Sequence, residues 1–227
     1  MTVSTDAARI RVLRRRIRWI VAFTITYNVI EGVIALIAGG VASSAALIGF
    51  GLDSFVEVLS AAAIAWQFSA ADPERREKPA LRIISISFFA LAAYVTVDAV
   101  LSLAGVREPE HSPVGIALAA ISLIVMPVVS WLERRAGREL GSASAVADSK
   151  QTLICAYLSA ALLIGLLLNS LFGWGWADSV AALVIAAFAV KEGLEAWRGD
   201  ASTLPVAALT GEMELDEHDH HDGHRHA

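Results

Sequence analysis

The chain has 227 residues, 56% of them hydrophobic, and a mean hydropathy of +0.59. Ordinary soluble domains are roughly 45–50% apolar, so this composition argues against a soluble globule. The formal net charge of −5 comes mostly from the C-terminal segment, and the basic clusters follow membrane topology, so nothing points to a nucleic-acid partner.

Six apolar stretches follow one another along the chain, each near the ~20 residues that a helix needs to cross a bilayer. The first is too long for a signal sequence and contains Asn28 and Glu31, so we interpret it as a retained span. The predicted fold is an all-α membrane protein of six transmembrane helices. The predicted spans are Trp19–Val41, Ala42–Phe68, Ile83–Val106, Val114–Leu132, Ala143–Phe172 and Trp174–Trp197.

Basic residues in short loops mark the cytoplasmic side of a membrane protein, because they resist translocation. Here they precede span one and lie between spans two and three and between spans four and five, while the other loops hold one Arg in all. Both termini are therefore expected in the cytoplasm, with the protein in the plasma (cell inner) membrane. The basic residues are Arg9, Arg11, Arg14, Arg15, Arg16, Arg18, Arg75, Arg76, Lys78, Arg82, Arg134, Arg135 and Arg138.

The chain divides into a basic cytoplasmic N-terminus (1–18), a transmembrane domain (19–198) and a polar tail (199–227) that we expect to be disordered. The tail's histidines alternate with aspartates and could collect metal ions on the cytoplasmic side. The alternative is a solvated tail with no role in transport. The five histidines are His218, His220, His221, His224 and His226.

Span two contains two carboxylates, and placing one ionisable group at mid-bilayer costs about 2.5–3.5 kcal/mol of insertion free energy. Residues with this cost are expected to have a function. Asp53 and Glu57 are spaced i, i+4, which places them on one helix face, about 6 Å apart along the axis. Like charges this close in low dielectric repel unless a metal ion or a proton neutralises them. The alternative is interhelical hydrogen bonding with one carboxyl protonated.

Span five carries a second pair at the same spacing, Gln151 and Cys155. Taken alone, a buried Cys is usually a small hydrophobe and a membrane Gln usually bonds another helix. Spans two and five run in opposite directions, so packing them together should bring Asp53 level with Cys155 and Glu57 level with Gln151. The two pairs could then close one four-ligand metal site.

Other polar residues in the spans receive different interpretations. Asn28 and Glu31, about one turn apart in span one, are candidates for supporting the metal ligands or for a proton route, with helix packing as the alternative. Asp98 and Asp178 are interpreted as structural, Asp178 because an anion is favoured at a helix N-terminus.

Several motifs together resemble the cation diffusion facilitator (cation efflux) family, from about Tyr27 to Trp197. The resemblance implies six helices, a homodimer, and export of zinc or a similar divalent ion in exchange for protons, with no prosthetic group. The sequence resembles the short form of that family, without its cytoplasmic metal-binding domain. The motifs are Asn28 with Gly32, Ser44-Ala45-Ala46-Leu47, Asp53-x-x-x-Glu57, Ala147-Asp148 with Gln151 and Cys155, and Trp176-Ala177-Asp178.

The ligand set departs from the family's zinc exporters, which typically carry His-x-x-x-Asp in helix five, where this chain has Gln151 and Cys155. A thiolate beside two carboxylates favours zinc or a softer ion over magnesium or calcium. Zinc is the first choice, and cadmium, cobalt, iron(II) and manganese remain open.

Two other functions compete with the transporter interpretation. A non-transporting metal sensor or assembly partner would use the same site without moving the ion. A membrane enzyme has less support, because the spans show no His beside the Cys and no HExxH motif.

Overall fold

The computed structural model describes residues 3–68, 74–140 and 143–198. Six α-helices occupy most of these ranges, and no strand occurs within them, so the predicted all-α membrane fold is confirmed. The tail with its five histidines lies outside the described residues. The helices are α1 (Val3–Ala42), α2 (Ala45–Phe68), α3 (Glu74–Leu103), α4 (Pro113–Leu140), α5 (Ala143–Phe172) and α6 (Gly175–Arg198).

The helices agree with the predicted spans and extend several of them. The basic segment before span one is part of α1, since Arg and Ala favour helix. α4 extends to Leu140 and includes three arginines beyond the predicted span. α2 begins three residues later than predicted because Ser44 caps it: the Ser44 hydroxyl accepts a hydrogen bond from the backbone N–H of Leu47 at 3.1 Å.

The two ends of the bundle differ in character. One end, here the loop end, holds the turn at residues 43–44, the connection 104–112 and the turn at 173–174. There the Glu110 backbone N–H bonds to the Ala42 carbonyl at 2.8 Å, and the Asn169 side chain donates to the Pro109 carbonyl at 3.0 Å. The other end, here the basic end, carries the arginine clusters.

The helices pack mainly as α4 with α5, α3 with α6, and α2 with α1 and α3, while α2 also contacts α6 and, more sparsely, α5. α1 and α2 approach closely where two glycines face each other. A Cβ on Gly32 would meet the Gly51 carbonyl at 3.1 Å, and one on Gly51 would meet the Gly32 carbonyl at 3.1 Å. Small residues at such crossings let membrane helices pack backbone to backbone.

The bundle's surface fits a bilayer. Its exposed side chains include many large hydrophobic residues, whereas buried positions include numerous Ser, Asp and Glu. Five helices contain stretches long and apolar enough to cross a membrane, within α1 to α5. All six tryptophans are exposed: Trp174 and Trp176 at the loop end, and Trp19, Trp66, Trp131 and Trp197 toward the basic end.

Helix α6 is less apolar, because Lys191, Glu192 and Glu195 lie near its basic end. Its tryptophans, Trp176 and Trp197, are nonetheless separated by a helical rise of roughly 30 Å, the thickness of a hydrocarbon core. This spacing suits a sixth span that ends in the two aromatic belts.

Candidate functional site

The predicted carboxylate pair lies on the inner side of α2. Asp53 is buried and Glu57 partly buried, and both belong to one uninterrupted helix, so their i, i+4 spacing keeps them on the same face. No hydrogen bond joins the Asp53 carboxylate to a described side chain.

Glu57 connects three helices through its two oxygens. Oε1 accepts a hydrogen bond from the Cys155 thiol of α5, with Sγ at 2.7 Å, and Oε2 accepts one from Nδ2 of Asn28 in α1 at 2.6 Å. Two residues from separate predicted groups, Asn28 and Cys155, thus meet on one carboxylate. A carboxylate oxygen and a sulfur are both ligand types that four-coordinate zinc sites use.

The other atom of the Asn28 amide has a different environment. Oδ1 is buried, and within the described part of the chain no donor reaches it. A buried oxygen without a hydrogen bond costs about 1–3 kcal/mol. The side chain is only 4% exposed, so bulk water does not relieve that cost.

Which residue of α2 meets Cys155 depends on the reach of its side chain as well as on its level along the helix. The sequence predicts Asp53 opposite Cys155, but the residue that contacts the thiol is Glu57. Side chains on a helix lean toward its N-terminus, and Glu is one methylene longer than Asp, so the Glu57 carboxylate reaches about one turn toward the loop end. The side chain of Gln151 lies outside the described residues, and its place in the metal site stays a prediction.

A second cluster of polar side chains surrounds Glu31 of α1, and the Glu31 side chain is 3% exposed. Its carboxylate accepts hydrogen bonds from the Ser54 hydroxyl at 3.3 Å and from the Ser122 hydroxyl of α4. Ser122 is also 2.7 Å from the Tyr27 hydroxyl. Glu31 therefore belongs to a hydrogen-bonded chain over α1, α2 and α4 beside the Glu57 contact, and it does not bond Glu57 itself.

Within residues 3–68, 74–140 and 143–198, no three His, Cys, Asp or Glu side chains are arranged to hold one metal ion. The contact between Glu57 and Cys155 supplies two such groups, and the third group touching Glu57 is the amide of Asn28. Completing a site therefore needs Asp53 to turn toward the pair, or ligands of another residue type.

Two acidic residues interpreted as structural make structural contacts. Asp98 forms an ion pair with Arg107 at 2.6 Å. Asp178, in the first turn of α6, accepts a hydrogen bond from the Ser44 hydroxyl at 2.5 Å and one from the Ala46 backbone N–H at 3.3 Å. Its carboxylate thus stabilises the start of α2, and this contact joins α6 to α2 at the loop end.

Sequence reasoning missed a buried polar seam between α4 and α5. Glu133 lies one residue beyond the predicted fourth span, yet it is 1% exposed and accepts a hydrogen bond from the Thr152 hydroxyl at 3.3 Å. Ser130 donates to the Ser149 carbonyl at 2.5 Å. Since 149, 152 and 155 follow at helical spacing, the seam leads from Cys155 toward the basic end. A carboxylate at a span end, followed by two arginines, was the available signal.

Comparison with known proteins shows which family the chain resembles. Residues 20–204 match the family model described as the cation efflux transmembrane domain. Similar proteins include an uncharacterised transporter of Synechocystis sp., 27% identical over 182 residues (76% of this chain and 59% of that one), and the cation-efflux pump FieF of Shewanella oneidensis, 26% identical over 204 residues (87% of this chain and 66% of that one). The chain thus spans about three fifths to two thirds of the length of these curated relatives.

Proposed function

The chain belongs to the cation efflux family, as its motifs indicated, and from this premise we propose that it exports a divalent metal ion, with zinc as first choice, in exchange for protons. The family is one of transporters rather than enzymes. The observation that carries the proposal is the hydrogen bond between Cys155 and Glu57, which joins the polar faces of α2 and α5 inside the apolar bundle.

This hydrogen bond holds one proton between a sulfur and a carboxylate oxygen, the two atoms that would ligate the ion. Cys binds metal as the thiolate and Glu as the carboxylate, so an arriving ion displaces the proton. Asp53 supplies the third ligand and Gln151 the fourth. An ion and protons then compete for one site, which is the chemical requirement for exchange by alternating access.

The ligand chemistry favours zinc. One thiolate and two carboxylates suit a tetrahedral ion that accepts both sulfur and oxygen. Cadmium and cobalt use the same ligands, and iron(II) and manganese use the carboxylates with less benefit from sulfur. Magnesium and calcium, which require oxygen ligands alone, fit less well.

The polar seam offers a route to the site from the basic end. Glu133, Thr152 and Ser149 line the α4–α5 contact between the arginine clusters and Cys155. Carboxylate and hydroxyl oxygens can replace part of the hydration shell of a passing cation. With the basic end in the cytoplasm, an ion entering along this seam would move outward.

The topology proposed with this route places both termini in the cytoplasm, the protein in the plasma (cell inner) membrane, and two copies in a homodimer. The orientation is supported by the arginine and lysine residues, which cluster at the basic end. The loop end has one Arg in its connections, Arg107, and that residue pairs with Asp98.

The test is zinc uptake into proteoliposomes under an imposed pH gradient. Wild-type protein should give proton-driven flux, Asp53→Ala should lose it, and Cys155→Ser should change the preference among ions. Thr26→Ala, which removes an exposed hydroxyl from α1, is the matched control. Zinc binding without flux of any divalent ion would move the assignment to a non-transporting sensor or assembly partner.

A further inference from the structure

The two polar atoms of the Asn28 amide have different environments. Its nitrogen donates to Glu57 at 2.6 Å, while its oxygen is buried with no donor among the described residues. The side chain comes from α1, a helix outside the two predicted ligand pairs. A polar atom of this kind, held beside a carboxylate and a thiol, points to an occupant that the protein side chains do not provide.

We propose that Asn28 binds the transported ion directly through its amide oxygen, so that three helices, α1, α2 and α5, hold the ion. The inference rests on the proposed function, because it assigns a further ligand to the same site. It also adds a ligand to a site where Cys155 contacts Glu57 but no three described His, Cys, Asp or Glu side chains are arranged to hold a metal ion.

Rotation of the Asn28 amide by half a turn would convert the ion-free arrangement into the ion-bound one. Without an ion, the Asn28 N–H group faces the Glu57 oxygen and neutralises part of its charge. With an ion between them, two oxygens must face the same cation, and rotation about the Cβ–Cγ bond brings Oδ1 to the place that Nδ2 now occupies. Oxygen ligands of one small divalent ion lie roughly 3–3.5 Å apart. The present 2.6 Å separation of Nδ2 and Oε2 therefore needs only a small opening.

An amide oxygen at this position also bears on selectivity. Neutral oxygen ligands bind harder ions such as manganese relatively well and add little for cadmium, which takes most of its binding from the thiolate. Asn28 thus widens the range of ions that the site binds, because Cys155 alone would favour soft ions. Loss of the amide should penalise manganese more than cadmium.

A second role for Asn28 must be separated from ligation, since a residue that only orients Glu57 also affects metal affinity, by roughly 10–100-fold in known sites. The substitution Asn28→Asp separates them. If Asn28 only donates to Glu57, a carboxylate there removes the donor, repels Glu57 and weakens binding. If Asn28 is a ligand, the introduced carboxylate offers a charged oxygen to the ion, and manganese binding is kept or strengthened.

The experiment measures equilibrium binding of Mn²⁺ and Cd²⁺ to full-length protein in nanodiscs. The variants are Asn28→Ala, Asn28→Asp and Asp53→Ala, with Thr26→Ala as the control on the same helix. The ultraviolet sulfur-to-cadmium absorption band reports whether Cd²⁺ still reaches Cys155.

For Asn28→Ala we expect the Kd of Mn²⁺ to rise about tenfold or more, within the range seen for changes around metal sites, and that of Cd²⁺ to rise less, with the sulfur band retained. For Asn28→Asp we expect Mn²⁺ binding at least as tight as in wild type. If Asn28→Ala does not fold, Asn28→Asp, which keeps the side chain's size, decides alone.

Unchanged Mn²⁺ affinity in Asn28→Ala, or weakened Mn²⁺ binding in Asn28→Asp, would overturn the inference while the proposed function stands. The proposed function fails in a different way. Wild-type protein that binds neither ion would overturn both proposals. Binding that survives Asp53→Ala but is lost in Asn28→Ala would remove Asp53 from the site and support Asn28.

Discussion

The Cys155 thiol of α5 donates a hydrogen bond to the Glu57 carboxylate of α2, with 2.7 Å between Sγ and Oε1. α2 and α5 share few other contacts, whereas α5 packs extensively on α4 and α2 on α1 and α3. α6 packs on both α3 and α5, and α1 also packs on α4, so the sparse α2–α5 contact lies inside a bundle that other helices join on both sides. The proposed metal site would lie at this sparse contact, and an ion bound there would join α2 to α5.

Replacing Cys155 should change the number of protons that metal binding releases. A thiol must lose its proton to ligate, whereas a serine hydroxyl keeps its proton, so Cys155→Ser should release about one proton fewer per ion. For the same reason zinc affinity should fall as pH falls, and less steeply in the variant. Isothermal titration calorimetry of Zn²⁺ in buffers of different ionisation enthalpy measures the proton count.

An equal proton count in wild type and Cys155→Ser would remove the thiol from the ligand set. The Thr26→Ala variant should match wild type in both affinity and protons released, because the Thr26 hydroxyl is exposed and bonds to the Ala22 carbonyl of its own helix.

Asp178→Asn should lower stability and leave the metal affinity of the folded protein unchanged. Its carboxylate binds the Ser44 hydroxyl and the Ala46 N–H at the start of α2, and a charge-assisted hydrogen bond contributes about 1.5–3 kcal/mol. We expect a drop of several degrees in the thermal unfolding midpoint, measured in detergent. Ser44→Ala should give a similar loss, and the double variant less than the sum, because the two residues share one contact.

Gly32→Val should destabilise the contact between α1 and α2. Even a Cβ at Gly32 would lie 2.9 Å from the Phe55 ring and 3.1 Å from the Gly51 carbonyl, and overpacking of this kind costs about 1–3 kcal/mol. Gly40→Ala is the control in the same helix, since a Cβ there meets nothing within 4 Å. Equal unfolding midpoints for both variants would contradict close packing at Gly32.

Glu133→Gln should slow zinc flux about tenfold, the factor that corresponds to ~1.4 kcal/mol, while the equilibrium affinity of the central site stays near wild type. Glu133 would act on the route of the ion and not on the ion bound at Cys155, because Thr152, which donates a hydrogen bond to Glu133, lies one turn from Cys155. Thr152→Val, which keeps the shape and removes the hydroxyl, should have a smaller effect of the same kind. Flux in proteoliposomes and binding in nanodiscs together distinguish the two roles.

Removing residues 215–227 tests the histidine tail. If the tail collects ions for delivery, the deletion should raise the apparent KM for zinc and leave the maximal flux unchanged, because capture matters most at low ion concentration. A version in which the five histidines are replaced by Asn, with the aspartates kept, separates metal capture from simple charge. An unchanged KM would end the delivery hypothesis.

The site was partly predictable. Two carboxylates four residues apart inside an apolar stretch are costly enough to require a function, so Asp53 and Glu57 could be named from spacing alone. The sequence predicted that α2 and α5 face each other with Asp53 level with Cys155, whereas the side chain that contacts the thiol is Glu57, one turn further along α2. Side-chain length and the lean of helical side chains decide that detail, and neither appears in a residue pattern.

The amino-acid sequence by itself determined the membrane class, the six helices and the side of the bundle on which the arginines gather. These depend on local quantities: the apolar length of each segment, its charges and its breaks at Ser43 and Gly173. Only the tertiary structure decided that Asn28 contacts Glu57, that Asp178 caps α2, and that Glu133 is buried. Each of these depends on which helices pack together and at what rotation, because a polar group in a membrane protein is satisfied by a neighbouring helix that its own sequence does not specify.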